Sequence, residues 1–431
     1  MRFSNEKSDL YFSTSPRGLF ILSGCGGNDA PGGGETGVET AASPEDEEMI
    51  GAVYLGVYGY GTGAAHRSNM DSFLYRFLIN GKEKLYKIDN GEKDADGNYN
   101  YPVQNVLKIG YSYVIEEMDG VIVSAEEVLP AFEDSAALYV PPVSGEPGLK
   151  TVKNFLKTAL EPVGTALYIY GGGWDWQDAG SSIAARTTGV SPDWVRFFNS
   201  QDSSFTYRDK DGDEKNRDPE NSYYPYNGYN EYYYAGLDCS GYVSWALNNT
   251  FNKDRTEVDL FCGSTVTAWN LARRGFGARA QDTPPELKPG DVVSISGHVW
   301  ICLGVCGDGS AVILHSTPSK SRAGQPGGGV QISAIGDSTE CEAYKLADGY
   351  MSGYYKEWYS RYPVKLCDPA VYLAFEGEYQ GAFSWDASGG SGGLTDPDGL
   401  RGKDASEILA DLFGQAAKSD LKSKKIKKAT I

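Results

Sequence analysis

The spacing of apolar positions along the chain changes near residue 150. From Ile50 to Val140 the apolar residues fall in short β-like runs: Ala52–Val57, Ser72–Ile79, Lys84–Ile88, Tyr111–Ile115 and Gly120–Val123. Asn80-Gly81, Asn90-Gly91, Asp96-Gly97 and Asp119-Gly120 separate them, and such pairs favour tight hairpin turns. The pattern predicts a small, mostly antiparallel β-rich domain over residues 50–145. Pro141-Pro142, Gly145, Pro147 and Gly148 mark its end.

Helical spacing then takes over. Val152, Phe155, Leu156 and Leu160 share one face, which predicts an amphipathic helix over Thr151–Leu160, stopped by Pro162 and Gly164. Leu167–Trp174 reads as an aromatic strand running into a glycine loop. Tyr242, Val243, Trp245, Ala246 and Leu247 predict a helix closed by Asn248, Asn249 and Thr250. Ser264–Arg274 reads as a further helix with Ser264 as N-cap. Leu287–Asp291 is a turn into strands Val292–Ile295, His298–Val305 and Ala311–His315, with a hairpin signal at Gly307-Asp308-Gly309-Ser310. Tyr354–Tyr359 and Ala405–Leu412 read as helices, with a Gly/Ser linker at 389–393. This order of elements is α+β.

Composition adds three facts. The net charge of −19 argues against a nucleic-acid partner, since phosphate binding needs clustered Lys and Arg. The one basic run, Lys418–Lys428, reads as a solvated tail. Tyrosine (30) and glycine (54) are both frequent, which fits turn-rich β structure with aromatic surfaces. No run is long enough for a transmembrane helix. Residues 1–49 combine a signal-like segment with a flexible linker. Gly18–Cys25 resembles the end of a bacterial lipoprotein signal, with Cys25 as the lipidated residue, although its apolar run is short.

The seven cysteines contain no CxxC pair, so neither a zinc framework nor a full disulfide set is indicated. Asp209, Asp211, Asp213 and Glu220 echo a calcium loop, but Glu214 stands where that loop needs glycine; a hairpin turn at Asp211-Gly212 is the better reading. The sharpest chemistry lies at Asp238-Cys239-Ser240-Gly241. Asp238 is suited to cap the helix that follows. Cys239 then sits in the first turn, where unpaired N–H groups and the helix dipole favour a thiolate. Alone, such a cysteine reads most simply as buried and inert.

Only three histidines occur, and His298 and His315 fall on adjacent predicted strands. With a two-residue turn at Asp308-Gly309, Cys302 lies opposite His315. The two histidines share a face, but His298 stands four residues further along, about 13 Å away at ~3.3 Å per residue. A bulge, a longer turn or strong twist is needed to bring them into contact. Thiolate, imidazole and a group that orients the imidazole are the parts of a nucleophilic triad.

The ordered set Tyr168-x-Tyr170-Gly171-Gly172, Asp238-Cys239-Ser240-Gly241, Pro289-Gly290-Asp291, His298-Val299-x-Ile301-x-Leu303-Gly304 and His315 resembles the NlpC-type cell-wall cysteine peptidases of bacteria. The resemblance implies a papain-like domain over 148–380, helices packed on an antiparallel sheet, with an insertion at 174–236 and a C-terminal extension at 381–431. It implies a peptidoglycan hydrolase outside the cytoplasm, cutting stem peptides at the γ-D-glutamyl–diamino acid bond without metal or cofactor. Cys239 matches the nucleophile, His298 the base and His315 its orienting residue. Tyr168, Asp238, Ser240 and Ser264 match positions that hold substrate. An amidase on the same fold and a non-catalytic wall-binding protein remain as other readings. The tyrosine-rich insertion is expected to narrow the cleft.

Overall fold

The computed structural model describes residues 50–58, 73–93, 95, 97, 99–104, 106–108, 111–128, 139–169, 171–172, 189–200, 233–252, 266–281, 286–324 and 326–414. The candidate calcium loop, Cys25, Ser264, His66 and the tyrosines at 223–232 lie outside these residues.

Strands β1 (Ile50–Tyr58), β2 (Leu74–Ile79), β3 (Lys82–Ile88), β4 (Ser112–Met118) and β5 (Val121–Glu127) close into a barrel in the order β1-β2-β3-β5-β4. Two of the four turn signals join neighbouring strands as hairpins, β2 to β3 and β4 to β5. Asn80-Gly81 and Asp119-Gly120 each hold two consecutive positive φ angles, the backbone that twists with the flanking strands. Alternate residues point inward, so Tyr54, Tyr75, Phe77, Tyr113 and Ile115 fill the barrel. A parallel pairing of β3 with β5 closes it and removes the free edges.

Helix α1 (Val152–Leu160) begins at Thr151, whose side chain accepts from the Asn154 N–H. Helix α2 (Pro192–Ser200) lies inside the predicted insertion. Its Trp194 meets Trp245 edge-on at 5.8 Å between ring centroids, so this part of the insertion belongs to the core and is not a surface loop. Asp193 of α2 also accepts from Tyr111 Oη at 2.6 Å and pairs with Lys108 at 3.0 Å, joining the barrel to this core.

Helix α3 (Cys239–Phe251) follows the predicted cap. Helix α4 is Ala268–Arg273, capped by Thr267, whose side chain accepts from Asn270 N–H. The helix start predicted at Ser264 is therefore corrected to Thr267.

Next come β6 (Gly277–Ala280), β7 (Val292–Ile295), β8 (His298–Val305), β9 (Ala311–Lys320), β10 (Pro326–Ile335), α5 (Glu342–Tyr354), α6 (Lys356–Arg361), β11 (Leu366–Cys367), α7 (Pro369–Tyr372), β12 (Gly381–Trp385) and α8 (Ala405–Leu412). The second sheet runs β11-β10-β9-β8-β7-β12-β6 and is antiparallel except for β10 with β11. One face carries Val299, Ile301, Leu303, Val312, Leu314 and Ile332 into the core shared with α1 and α3. The other carries Trp300, Cys302 and Ile313, which cluster with Tyr372 of α7.

Residue 380 is not a structural boundary. β12 sits between β7 and β6, and Leu400, Ile408 and Leu409 belong to the main core. Arg401 reaches the buried Asp291 at 3.0 Å and the Pro289 carbonyl at 3.1 Å, while Trp385 Nε1 donates to the Gly290 carbonyl at 2.7 Å. The C-terminal segment thus pins the turn that leads into β7.

Candidate active site

The start of α3 is held by its own cap and by two neighbouring segments, residues 167–172 and β9. Asp238 is extended, and its Oδ1 accepts from the Gly241 N–H (2.7 Å) and the Ser240 hydroxyl (2.9 Å). Its Oδ2 accepts from the Gly171 N–H at 3.2 Å. The Leu237 N–H donates to the Leu167 carbonyl (3.0 Å), and the Asp238 N–H to that of Gly172 (2.7 Å). The Ser316 hydroxyl of β9 donates to the Leu237 carbonyl at 2.6 Å. This crossing requires glycine at 236, because a Cβ there would lie 2.2 Å from the Leu167 oxygen.

The two histidines come into contact. His298 Nε2 and His315 Nδ1 are 3.0 Å apart. Their meeting depends on register. The turn at the β8–β9 hairpin pairs Val305 with Ala311, and a bulge then shifts the ladder so that Cys302 faces Ile313 and Ile301 faces Leu314. Each step moves β8 by one residue relative to the pairing expected from a two-residue turn. Cys302 is therefore not opposite His315, and the separation of His298 from its partner's level falls from four residues to two. A diagonal of that kind spans about 7–8 Å between backbones, which two imidazoles bridge. His315 also lies inside β9, which runs on to Lys320, and does not end its strand.

Cys239 is half-buried at the start of α3, and the Val299 N–H, one residue beyond His298, donates toward its sulfur. Burial pushes the thiol up to about 12, and the Asp238 carboxylate adds to the rise; the N–H groups of Val299, Ser240 and Cys239 itself oppose it. Burial, then the charge of Lys365, pushes His298 down to about 3. His315 is fully buried and lies well below the ordinary histidine range, by burial first and then by His298 and Lys365. Burial thus favours the neutral thiol and the neutral imidazoles. The thiolate expected from the helix start alone is outweighed by desolvation.

Behind the histidines runs a buried polar chain that the sequence did not indicate. His315 Nε2 lies 2.9 Å from Ser333 Oγ, Gln331 Nε2 donates to the same oxygen at 3.1 Å, and Trp358 Nε1 donates to Gln331 Oε1 at 3.3 Å. The indole can only donate, which fixes the Gln331 amide and leaves its NH₂ for Ser333. Tyr372 stands against both imidazoles, its ring 5.6 Å from that of His298 and 6.0 Å from that of His315.

Ser240 is thus engaged with Asp238, which itself takes three hydrogen bonds from within the chain. Tyr168 is 6% exposed, and its N–H donates to the Gly328 carbonyl at 2.8 Å. Its segment flanks the start of α3. Away from this site, Cys306, Asp308 and Glu342 cluster within 4.8 Å. Asp308 accepts from the Glu342 N–H and Glu342 from the Gly307 N–H, so the group ties the hairpin tip to α5.

Searches against protein families, curated proteins and solved structures found no match to this chain. No helix among the described residues is long and apolar enough to cross a membrane. What the arrangement can do chemically follows from its parts: a cysteine at a capped helix start, the N–H that follows His298 directed to its sulfur, and the His298–His315 pair with a polar chain behind.

Proposed function

We propose that this protein is a papain-like cysteine peptidase of the NlpC type, acting outside the cytoplasm on peptidoglycan stem peptides. The observation that carries the reading is the 3.0 Å contact of His298 Nε2 with His315 Nδ1, alongside a thiol that receives the N–H of the next residue, Val299.

In this reading the Cys239 thiol passes its proton to His298 Nδ1 as the sulfur attacks the amide carbonyl. His298 can accept at Nδ1 only if its Nε2 carries the other proton and donates to His315 Nδ1. His315 must then donate from Nε2 to Ser333. The Ser333 hydroxyl can accept from both His315 Nε2 and Gln331 Nε2, so the polar chain is compatible with the tautomers that the reaction needs. The tetrahedral oxyanion takes backbone N–H groups at the start of α3, that of Cys239 among them. The C–N bond breaks as His298 returns its proton to the leaving amine. Water, activated by the same imidazole, then hydrolyses the thioester.

Cys239→Ala is expected to abolish release of products from muropeptides, read by mass spectrometry, while the circular dichroism spectrum stays unchanged. Retained turnover in that variant rejects the assignment. The masses also distinguish cleavage at the γ-D-glutamyl bond from cleavage at the sugar–peptide link.

A further inference from the structure

Lys365 is a half-buried cation beside the histidine pair, and no carboxylate pairs with it among the described residues. The contrast with other partly buried lysines is direct: Lys108 has Glu127 and Asp193, and Lys153 has Asp398 and Asp411. In a chain with 58 acidic residues, a cation left without a counter-charge is unusual, because removing an ammonium from water costs free energy that a paired carboxylate offsets. Desolvation accordingly lowers the Lys365 ammonium from its ordinary range.

Lys365 Nζ donates to Thr317 Oγ1 at 2.9 Å and more weakly to the Pro318 carbonyl at 3.4 Å. An ammonium has three donors, so one remains. Thr317 follows His315 by two positions on β9 and so projects from the same face. The Tyr372 hydroxyl exchanges hydrogen bonds with Thr317 and Cys367, and its ring packs on both imidazoles. Lys365, Thr317 and Tyr372 therefore form one connected polar group adjoining His298 and His315. The charge of Lys365 reaches both imidazoles.

We infer that Lys365 anchors a substrate carboxylate next to the scissile amide, supplying to the ligand the pairing that the fold itself withholds. The inference deepens the peptidase reading and rests on it. A γ-glutamyl peptide carries such a carboxylate a few bonds from the reacting carbonyl, whereas a peptide amidated at that position does not.

Two measurements on the full chain test it. The first compares kcat/KM for a γ-glutamyl peptide bearing a free α-carboxylate with its carboxamide twin, in the parent and in Lys365→Met. The parent should prefer the carboxylate by about tenfold, the effect of roughly one partly screened ion pair. Lys365→Met should erase the preference and Lys365→Arg should retain most of it. A purely structural role would lower both substrates alike and leave their ratio unchanged, which overturns the inference. Lys365→Gln replaces the methionine variant if the latter does not fold.

The second measurement needs no turnover. It is the ratio of Cys239 alkylation rates with iodoacetate and iodoacetamide, which differ in charge. That ratio should fall about threefold to tenfold in Lys365→Met. If neither peptide is cleaved, this ratio decides: a fall keeps the anion site and rejects the peptidase reading, and no change overturns the anchor. If the peptides are cleaved, their ratio decides.

Discussion

Ser333→Ala is the most informative single change, because one hydroxyl stands between the histidine pair and the rest of the buried polar chain. His315, Gln331 and Ser333 are all 0% exposed, so solvent does not replace what is removed. With His315 in the tautomer that the proposed reaction needs, the variant strands two donors, His315 Nε2–H and one Gln331 N–H. An unsatisfied buried donor costs about 1–3 kcal/mol, so the loss in unfolding free energy should be about 2–6 kcal/mol. Gln331→Leu strands only Trp358 Nε1, at about 1–3 kcal/mol. The double variant strands His315 and Trp358 but no longer carries the Gln331 amide. It should therefore be more stable than the sum of the singles predicts, by about 1–3 kcal/mol. Urea unfolding of the four chains gives this coupling. Additivity within about 0.5 kcal/mol would show that the chain does not act as a unit and would refute the reasoning. On activity, Ser333→Ala should lower kcat by on the order of 10²-fold or more, because nothing then holds His315 in the tautomer that donates to Ser333. Ser333→Thr, which keeps the hydroxyl, should recover part of that loss.

Two further outcomes follow from the electrostatics. Asp238→Asn retains a capping oxygen for the Gly241 N–H but removes the charge that, after burial, raises the Cys239 thiol. The pH midpoint of its alkylation by iodoacetamide should fall by roughly half to one unit, and an unmoved or higher midpoint would contradict the assigned cause. Burial lifts Glu161 from 4.5 to about 7, opposed by the Gly145 N–H that donates to it at 2.7 Å. The folded chain then holds a proton that the unfolded chain has released, so stability falls as pH rises from 4.5 to about 7. Glu161→Gln keeps an acceptor for Gly145 and removes that penalty. Its advantage over the parent should grow by about 1–3 kcal/mol between pH 5 and pH 8, after allowance for solvent screening. A gap independent of pH would count against the burial of this carboxyl.

What could be read from the chain was local. Asn80-Gly81 and Asp119-Gly120 make hairpins because their own backbones tolerate positive φ. Asp238 caps α3 because its side chain reaches N–H groups three residues on. The nearness of Cys239 to the histidines could be suspected from their order, yet not their contact. That contact required β8 to slip by two residues relative to β9, one at the turn and one at the bulge, and no local signal marks either. β10 escaped the sequence reading because it opens on Pro326-Gly327-Gly328-Gly329, residues that weaken a strand. Glycine is needed at 329 because a Cβ would lie 2.2 Å from the Ala166 carbonyl of a segment distant in sequence. Ser333 and Gln331 alternate with apolar residues, a pattern that suggests a wetted face, whereas their polar atoms find partners on β9 and α6. Likewise β12 lies beyond the predicted domain end, and only its pairing with β7 and β6 makes it part of the sheet. The sequence determined which residues could act and which helix would present the thiol. The tertiary structure decided their register, their desolvation and hence their protonation, because each depends on groups that meet only when distant segments pack.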